Sequence, residues 1–478
     1  MKNDPIALDR LSDLVEAKAP AYAELSDRIW AMPELRFAEH RSAEAQIAQL
    51  EAEGFRVTRN VAGIPTAFMA EAGEGGPLIG FLGEFDALAG LSQEAGLAEK
   101  RALEAGGNGH GCGHNLLGAG AMLAAVSARD ALREAGMAGR VRYYGCPGEE
   151  GGSGKTFMAR EGAFDGLDAA VTWHPGAFNG VMSIRNLANF QVYFRFKGKA
   201  AHAAGSPHLG RSALDAVELM NVGVNYLREH MPQEARVHYA ITNSGGVSPN
   251  VVQAEAEVLY LVRAPRVAEA AALFERVKDC AKGAAIMSGT SWSFEIDKAC
   301  SEVLPNRTLE TVLHGNFQTL GAAEYDEADQ RFAGEIRRSL SAEDIASEVA
   351  SFAADPALGD VALHEAVLPF DGTPLFQAGS TDVGDVSQIV PTVQAWGACW
   401  AVGTPFHTWQ AVAQGQSAHA HKGMAQAAKV MAATALDGFR DPELLARAKA
   451  ELAKRRGAAA YECPIPAEVV APPLRARR

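Results

Sequence analysis

One cysteine, three histidines and a pair of adjacent glutamates are the side chains of this sequence best placed to do chemistry. Cys112 and His114 sit in the loop Gly109-His110-Gly111-Cys112-Gly113-His114. Its glycines let the backbone fold tightly, so two donors two residues apart can face one point. A metal-bound thiol is a thiolate and a firm anchor. Glu149 and Glu150 open the run Glu149-Glu150-Gly151-Gly152. Neighbouring carboxylates can divide labour, one binding a metal while the other stays free to move protons. His174, in Trp173-His174-Pro175, and His407, in Thr404-Pro405-Phe406-His407-Thr408, add nitrogen donors. Such a mixture of N, O and S suits Zn2+ or Mn2+ better than Ca2+ or Mg2+.

The elements that must position these residues can be read from the apolar pattern. Leu78–Leu82, Val141–Gly145, Ala169–Trp173 and Thr392–Trp396 are short apolar runs of buried-strand type. Asp86, Glu149–Glu150, His174 and His407 each follow one of them, and open α/β sheets bind ligands beyond the carboxyl ends of their strands. Residues 6–53 have helical spacing, broken at Pro33 and stopped at Gly54. A hairpin-like pair follows at Arg56–Val61 and Thr66–Glu71. Leu116–Glu134 reads as a helix capped by Asn115 and ended by Gly136. The implied fold class is α/β: a mixed, largely parallel sheet flanked by helices.

Near residue 187 the pattern changes. Strand-type alternation at Phe190–Lys197, helix at Ser212–Arg228, strands at Arg236–Thr242 and Ala254–Val262, helix at Val267–Ala285 and a strand at Ser291–Ile296 follow in turn. That order, βαββαβ, is the ferredoxin-like split unit. It predicts a discontinuous larger domain, residues 1–186 and 303–478, with residues 187–302 inserted as a smaller one. Ser417–Leu436 is the last long helix, with His419 and His421 expected on its exposed side, and the tail from Arg455 reads as a surface arm.

Composition narrows the function. The chain has 478 residues, 48% of them hydrophobic, enough for two or three domains with large cores. Its 44 Lys+Arg against 58 Asp+Glu give a net charge of −14, which argues against nucleic acid as a partner. Met1–Arg10 is not followed by an apolar signal region, and Leu116–Val126 is too short and Gly-rich to cross a membrane. Six scattered cysteines with no C-x-x-C pair fit a reducing compartment, so a cytoplasmic protein is expected. Gly154-Lys155-Thr156 matches the end of a phosphate loop, but Glu149 stands where that loop requires its first glycine. A nucleotide site is therefore not expected, and His40, His230, His238, His314 and His364 carry no chemical signal.

Taken together the motifs resemble the M20 metallopeptidase/amidohydrolase family, and more narrowly its aminoacylase-type branch, over nearly the whole chain. Pro33-Glu34-Leu35-Arg36-Phe37-Ala38-Glu39, Glu84-Phe85-Asp86-Ala87-Leu88, Cys112-Gly113-His114, Glu149-Glu150-Gly151-Gly152 and Gly379-Ser380-Thr381-Asp382 carry the resemblance, in that order. It implies two divalent metal ions held by Cys112, His114, Glu150, His174 and His407, with Glu149 as general base and then acid. Asp86 would orient a ligand histidine. It further implies that residues 187–302 are a lid and dimerisation domain, giving a homodimer. There Gly198-Lys199-Ala200-Ala201-His202 would bring His202 to the oxyanion across the dimer, and Asn250 and Arg263 would meet the substrate carboxylate. Trp30, Glu84, Asn115 and Thr381 stand where the branch often has His, Asp, Asp and Glu, as in the p-aminobenzoyl-glutamate hydrolase lineage. The implied reaction is amide hydrolysis of N-acyl or N-aroyl amino acids, p-aminobenzoyl-glutamate first. Indole-acyl or phenylacyl conjugates are the alternative, as is dependence on a partner of the A-subunit type.

Overall fold

The computed structural model describes residues 7–457 and 459–472. The first segment forms α1 (Leu8–Trp30) and α2 (His40–Ala52). Leu11, Val15, Tyr22, Leu25 and Ile29 recur at helical spacing and are buried, and α1 stops just short of Pro33. Then come β1 (Arg56–Arg59), β2 (Phe68–Glu74), β3 (Leu78–Glu84), α3 (His114–Ala135) and β4 (Gly139–Cys146). A kinked turn, α4 (Glu149–Gly152), leads into α5 (Gly154–Arg160), β5 (Ala169–Gly176), β6 (Gly180–Val181) and β7 (Ile184–Arg185).

The next stretch is β8 (Ala188–Lys197), α6 (Ala213–Leu227), β9 (Arg236–Asn243), β10 (Glu255–Ala264), α7 (Val267–Ser288) and β11 (Ser291–Cys300). This is the βαββαβ order, and its four strands form one antiparallel sheet in the order β11-β8-β10-β9. The chain closes with α8 (Arg307–Leu320), α9 (Glu327–Arg337), α10 (Ala342–Ser351), β12 (Leu375–Phe376), α11 (Val383–Ile389), β13 (Thr392–Ala398), α12 (Trp409–Gln414), α13 (Ala418–Arg440) and α14 (Pro442–Arg456).

The larger sheet has the order β1-β2-β4-β3-β5-β13-β6. Its four central strands, β4, β3, β5 and β13, are parallel, and both edges are antiparallel. Central strands buried on both faces need continuous apolar runs, as β3 and β13 show, being buried at every position. Helix α3 packs against β3, α1 and α13 and is buried along most of its length. Its small residues permit this: a Cβ on Gly118 would lie 2.7 Å from the Glu84 carbonyl oxygen.

Three local expectations are corrected. Asn115 does not cap α3. The helix begins at His114, Gly113 takes the cap position at φ +73°, and the Asn115 amide instead donates to Ser26 Oγ (2.9 Å) and the Gly415 carbonyl (3.0 Å). His419 is not exposed: it is buried on α13 with Nε2 3.2 Å from Gln414 Oε1, and His421, partly buried, meets Asp27 at 2.9 Å. The tail is more than a surface arm over its described part. Ile465 is buried, Arg160 holds the Pro466 and Val469 carbonyls (both 2.8 Å), and the Tyr461 hydroxyl reaches Asp385 (2.9 Å).

Candidate metal centre

The parallel strands deliver the donors to one end of the larger sheet. β3 ends at Glu84 with Asp86 just beyond; β4 leads through Pro147-Gly148 to Glu149 and Glu150; β5 carries His174; the loop before α3 carries Cys112, and α3 opens on His114. His407 lies after β13 in a left-handed conformation (φ +60°), its backbone N–H held by the Gly111 carbonyl at 2.9 Å. Non-glycine residues rarely adopt that conformation, and where they do the surroundings hold them in it.

All five residues expected as ligands come together. Cys112, His114 and His174 offer donor atoms within 4.8 Å of one another, and so do Cys112, Glu150 and His407. Cys112 is common to both trios. A third trio, Glu84, His114 and Glu149, meets the same criterion. Glu84 figured in the sequence only as a departure from a motif; its place two residues before Asp86 at the end of β3 was the signal available.

The orientation of the donors favours a cation. His114 Nδ1 lies 3.0 Å from Asp86 Oδ1, and Asp86 Oδ2 accepts from the Glu150 backbone N–H at 2.8 Å. His174 Nδ1 is 2.8 Å from the Pro175 carbonyl, which leaves its Nε2 facing Cys112 Sγ at 3.5 Å. His114 Nε2 and Glu150 Oε1 are buried without a hydrogen bond of good geometry, although Glu84 Oε2 (3.2 Å) and His407 Nε2 (3.0 Å) crowd them. Crowded donors of S, N and O type, with both His114 and His174 oriented from behind, are what a divalent ion of the Zn2+ or Mn2+ kind requires.

The charges are strongly interdependent. Burial, then Glu84, Glu150 and Asp382, push the Glu149 carboxyl well above the ordinary range. Burial would raise Glu150 too, but the His407 ring at 3.0 Å and the nearby His114 bring it down to about 2. Burial, with His114 nearby, lowers His174 to about 4, and burial keeps the Cys112 thiol high. Without a cation Cys112 is therefore a neutral thiol, and ligation must take its proton.

Lys155 is fully buried behind this cluster. Its Nζ lies 2.6 Å from both Glu84 Oε1 and Asp382 Oδ1, and its backbone N–H donates to Asp382 Oδ2 at 2.8 Å. The ammonium is thus fully engaged by carboxylates and far from serving as a phosphate ligand. Glu39, buried on the other side, accepts from the Gly148 N–H (2.9 Å) and Thr66 hydroxyl (3.0 Å), fixing the turn that presents Glu149.

The remaining expected residues lie elsewhere in this chain. His202 and Asn250 are exposed next to each other on the βαββαβ unit, where the Ala203 N–H donates to the Asn250 carbonyl (2.9 Å). Arg263, half-buried on β10, donates to Ser380 Oγ at 2.6 Å, and Ser380 lines a cavity over the donor cluster. That cavity, about 480 Å3, has an aromatic wall of Phe352, Trp396 and Phe406 that motif reading could not find.

Comparison with known proteins shows relatives along nearly the whole chain. Residues 182–286 match the peptidase dimerisation domain of M20 proteins. The chain is 51% identical over 474 residues to the B subunit of p-aminobenzoyl-glutamate hydrolase from Escherichia coli (strain K12), covering 97% of this chain and 98% of that one. It is 31% identical to the Xaa-Arg dipeptidase of Mus musculus, over 91% of this chain and 90% of that one. In fold it is similar to a dinuclear metal-binding M20 peptidase of Bacillus subtilis, with TM-score 0.56, 18% identity, and coverage of 89% and 99%. Fold, site and relatives define a metal-dependent hydrolase acting on amide bonds. More particularly, the chain belongs to the M20 metallopeptidase/amidohydrolase family. Among the described residues no helix is long and apolar enough to cross a membrane.

Proposed function

We propose that this protein hydrolyses the amide bond of N-acyl and N-aroyl amino acids, with p-aminobenzoyl-glutamate, split to p-aminobenzoate and glutamate, as its first substrate. Cys112, His114, Glu150, His174 and His407 would hold two divalent ions, Mn2+ or Zn2+. Bound there, the ions supply Lewis acidity to the scissile carbonyl and to water. Asp86 orients His114 and anchors the Glu150 backbone.

The observation that carries this reading is the contrast between two adjacent carboxylates. Glu150 is engaged with His407, while the Glu149 side chain makes no hydrogen bond or ion pair among the described residues and lines the cavity. Glu149 takes a proton from the attacking water and returns it to the departing nitrogen.

The substrate carboxylate is met by Arg263, aligned by Ser380, and by Asn250. His202 contributes to the oxyanion from a second copy, because within one chain it lies outside the donor cluster. Residues 187–302 act as lid and dimerisation domain on the larger domain, residues 1–186 and 303–478. Tyr226 on α6 and Ile286 on α7, both 73% exposed, give that unit an apolar outer face consistent with a homodimer. The Escherichia coli relative is named as one of two kinds of subunit, which adds a heteromeric partner of A-subunit type as a second possibility. Six free cysteines favour the cytoplasm as its compartment.

Purified protein supplied with Mn2+ or Zn2+ should release p-aminobenzoate and glutamate. Glu149→Gln should lose this by roughly 10²-fold or more while retaining its metal. Undiminished turnover in that variant would remove Glu149 from the mechanism.

A further inference from the structure

The cavity over the donor cluster continues along a run of rings. His174 and Trp396 meet edge-on at 5.6 Å between centroids, and Trp396 meets Phe352 at 4.9 Å. Phe352 directly follows α10, and Glu348, four residues earlier on that helix, lines the same cavity. The four-residue spacing puts both side chains on one face.

Glu348 is 8% exposed, and its Oε1 has no hydrogen-bond partner. Among the described residues no cation or N–H reaches its carboxylate; burial alone acts on it, raising its pKa to about 7. A buried acceptor without a donor is destabilising, and a carboxylate in the last turn of a helix faces the negative end of the helix dipole. Among the described residues nothing packed on α10 compensates for either, so the missing donor is sought in what fills the cavity.

We propose that Glu348 accepts a hydrogen bond from an amine on the aromatic ring of the acyl group, and thereby selects amino-substituted aroyl substrates over unsubstituted ones. This rests on the N-aroyl amino acid reading above. A flat ring suits the faces and edges of Phe352, Trp396 and Phe406. An aryl amine is uncharged, so it can donate to Glu348 without carrying a full positive charge into an apolar wall. The cavity's Asn186 Nδ2 is a buried donor without a partner, suited to the acidic part of the same substrate.

The test compares p-aminobenzoyl-glutamate with benzoyl-glutamate on the full-length, Mn2+-loaded protein. The wild type should favour the amine by roughly tenfold or more in kcat/KM, the scale of a hydrogen bond to a charged group. Glu348→Leu should bring the ratio near one, and Glu348→Gln, which keeps an acceptor oxygen, should give an intermediate ratio. A wild-type ratio near one, or a ratio that Glu348→Leu leaves intact, overturns the proposal. Calorimetric binding of p-aminobenzoate and benzoate to wild type and Glu348→Gln needs no turnover. If neither amide is cleaved, the hydrolase reading fails on its own. A tenfold preference for p-aminobenzoate, reduced by Glu348→Gln, still supports the role of Glu348, and equal binding of the two acids overturns it.

Discussion

Asp86 Oδ1 lies 3.0 Å from His114 Nδ1, with both side chains fully buried. With Asp86 accepting from Nδ1–H, Nε2 is the ring nitrogen turned toward the donor cluster, able to ligate once a cation takes the place of any proton there. The second Asp86 oxygen holds the Glu150 backbone N–H, so one carboxylate sets the position of two candidate ligands from different elements.

Asp86→Asn should therefore weaken metal binding without unfolding the chain. An amide can present its oxygen to only one of the two donors, and its own N–H₂ cannot accept. Competition against a chromogenic chelator should show a loss of about 10- to 100-fold in affinity, with an unchanged circular dichroism spectrum. Unaltered affinity would mean that Asp86 does not orient His114.

Lys155→Met should be strongly destabilising. It removes the cation between Glu84 and Asp382 and leaves two buried carboxylates facing each other. Breaking one side of a buried charge cluster costs about 3–5 kcal/mol. Urea unfolding should show that loss, and the triple variant with Glu84→Gln and Asp382→Asn should recover part of it because no uncompensated charge remains.

Stability should fall as pH rises through neutrality, with Glu310 as one contributor. Burial lifts its carboxyl from the ordinary 4.5 to about 7. A folded-state value above the unfolded one means that the proton is bound more tightly by the native chain. The associated stability is complete below about 4.5 and is lost as pH passes through about 7. Glu348 (about 7), Asp385 (about 6) and Glu39 (about 8) are shifted in the same sense, mainly by burial. Glu310→Gln should remove its own share, on the order of 3 kcal/mol. The drop in Tm between about pH 5 and about pH 8, a window that brackets the shift, should then be shallower in the variant.

Metal removal should abolish hydrolysis but leave the fold intact. The two large apolar clusters, one around α3 and the other spanning the βαββαβ unit, do not depend on the donor residues. A chelated sample should keep its far-ultraviolet spectrum. Restoring Mn2+ to about 100 times its Kd should then raise stability by about 2.7 kcal/mol, read as an increase in Tm. No increase would indicate that the donors do not bind the ion in the folded state.

Much of the larger sheet was legible because β3, β4, β5 and β13 are short apolar runs bounded by glycine and polar residues, and the donors follow their ends. The βαββαβ unit was legible from alternation, as in β10, where every second residue is buried. Capping by Asn115 was misread because Gly113 already supplies the turn and Asn115 is drawn to Ser26 and Gly415, distant in sequence. The burial of His419 depends on Gln414 and on the packing of α13, which helical spacing alone does not report.

By itself, the sequence determined which donor types exist and that they sit at strand ends. Residue type and local periodicity are properties of neighbouring positions, so they survive without coordinates. Only the tertiary structure decided that Lys155 meets Asp382, 227 positions away, and that Glu348, Phe352, Trp396 and Phe406 wall one cavity with the donors. Those contacts come from how sheet, helices and loops pack, and no local pattern encodes which distant side chain will fill the space beside another.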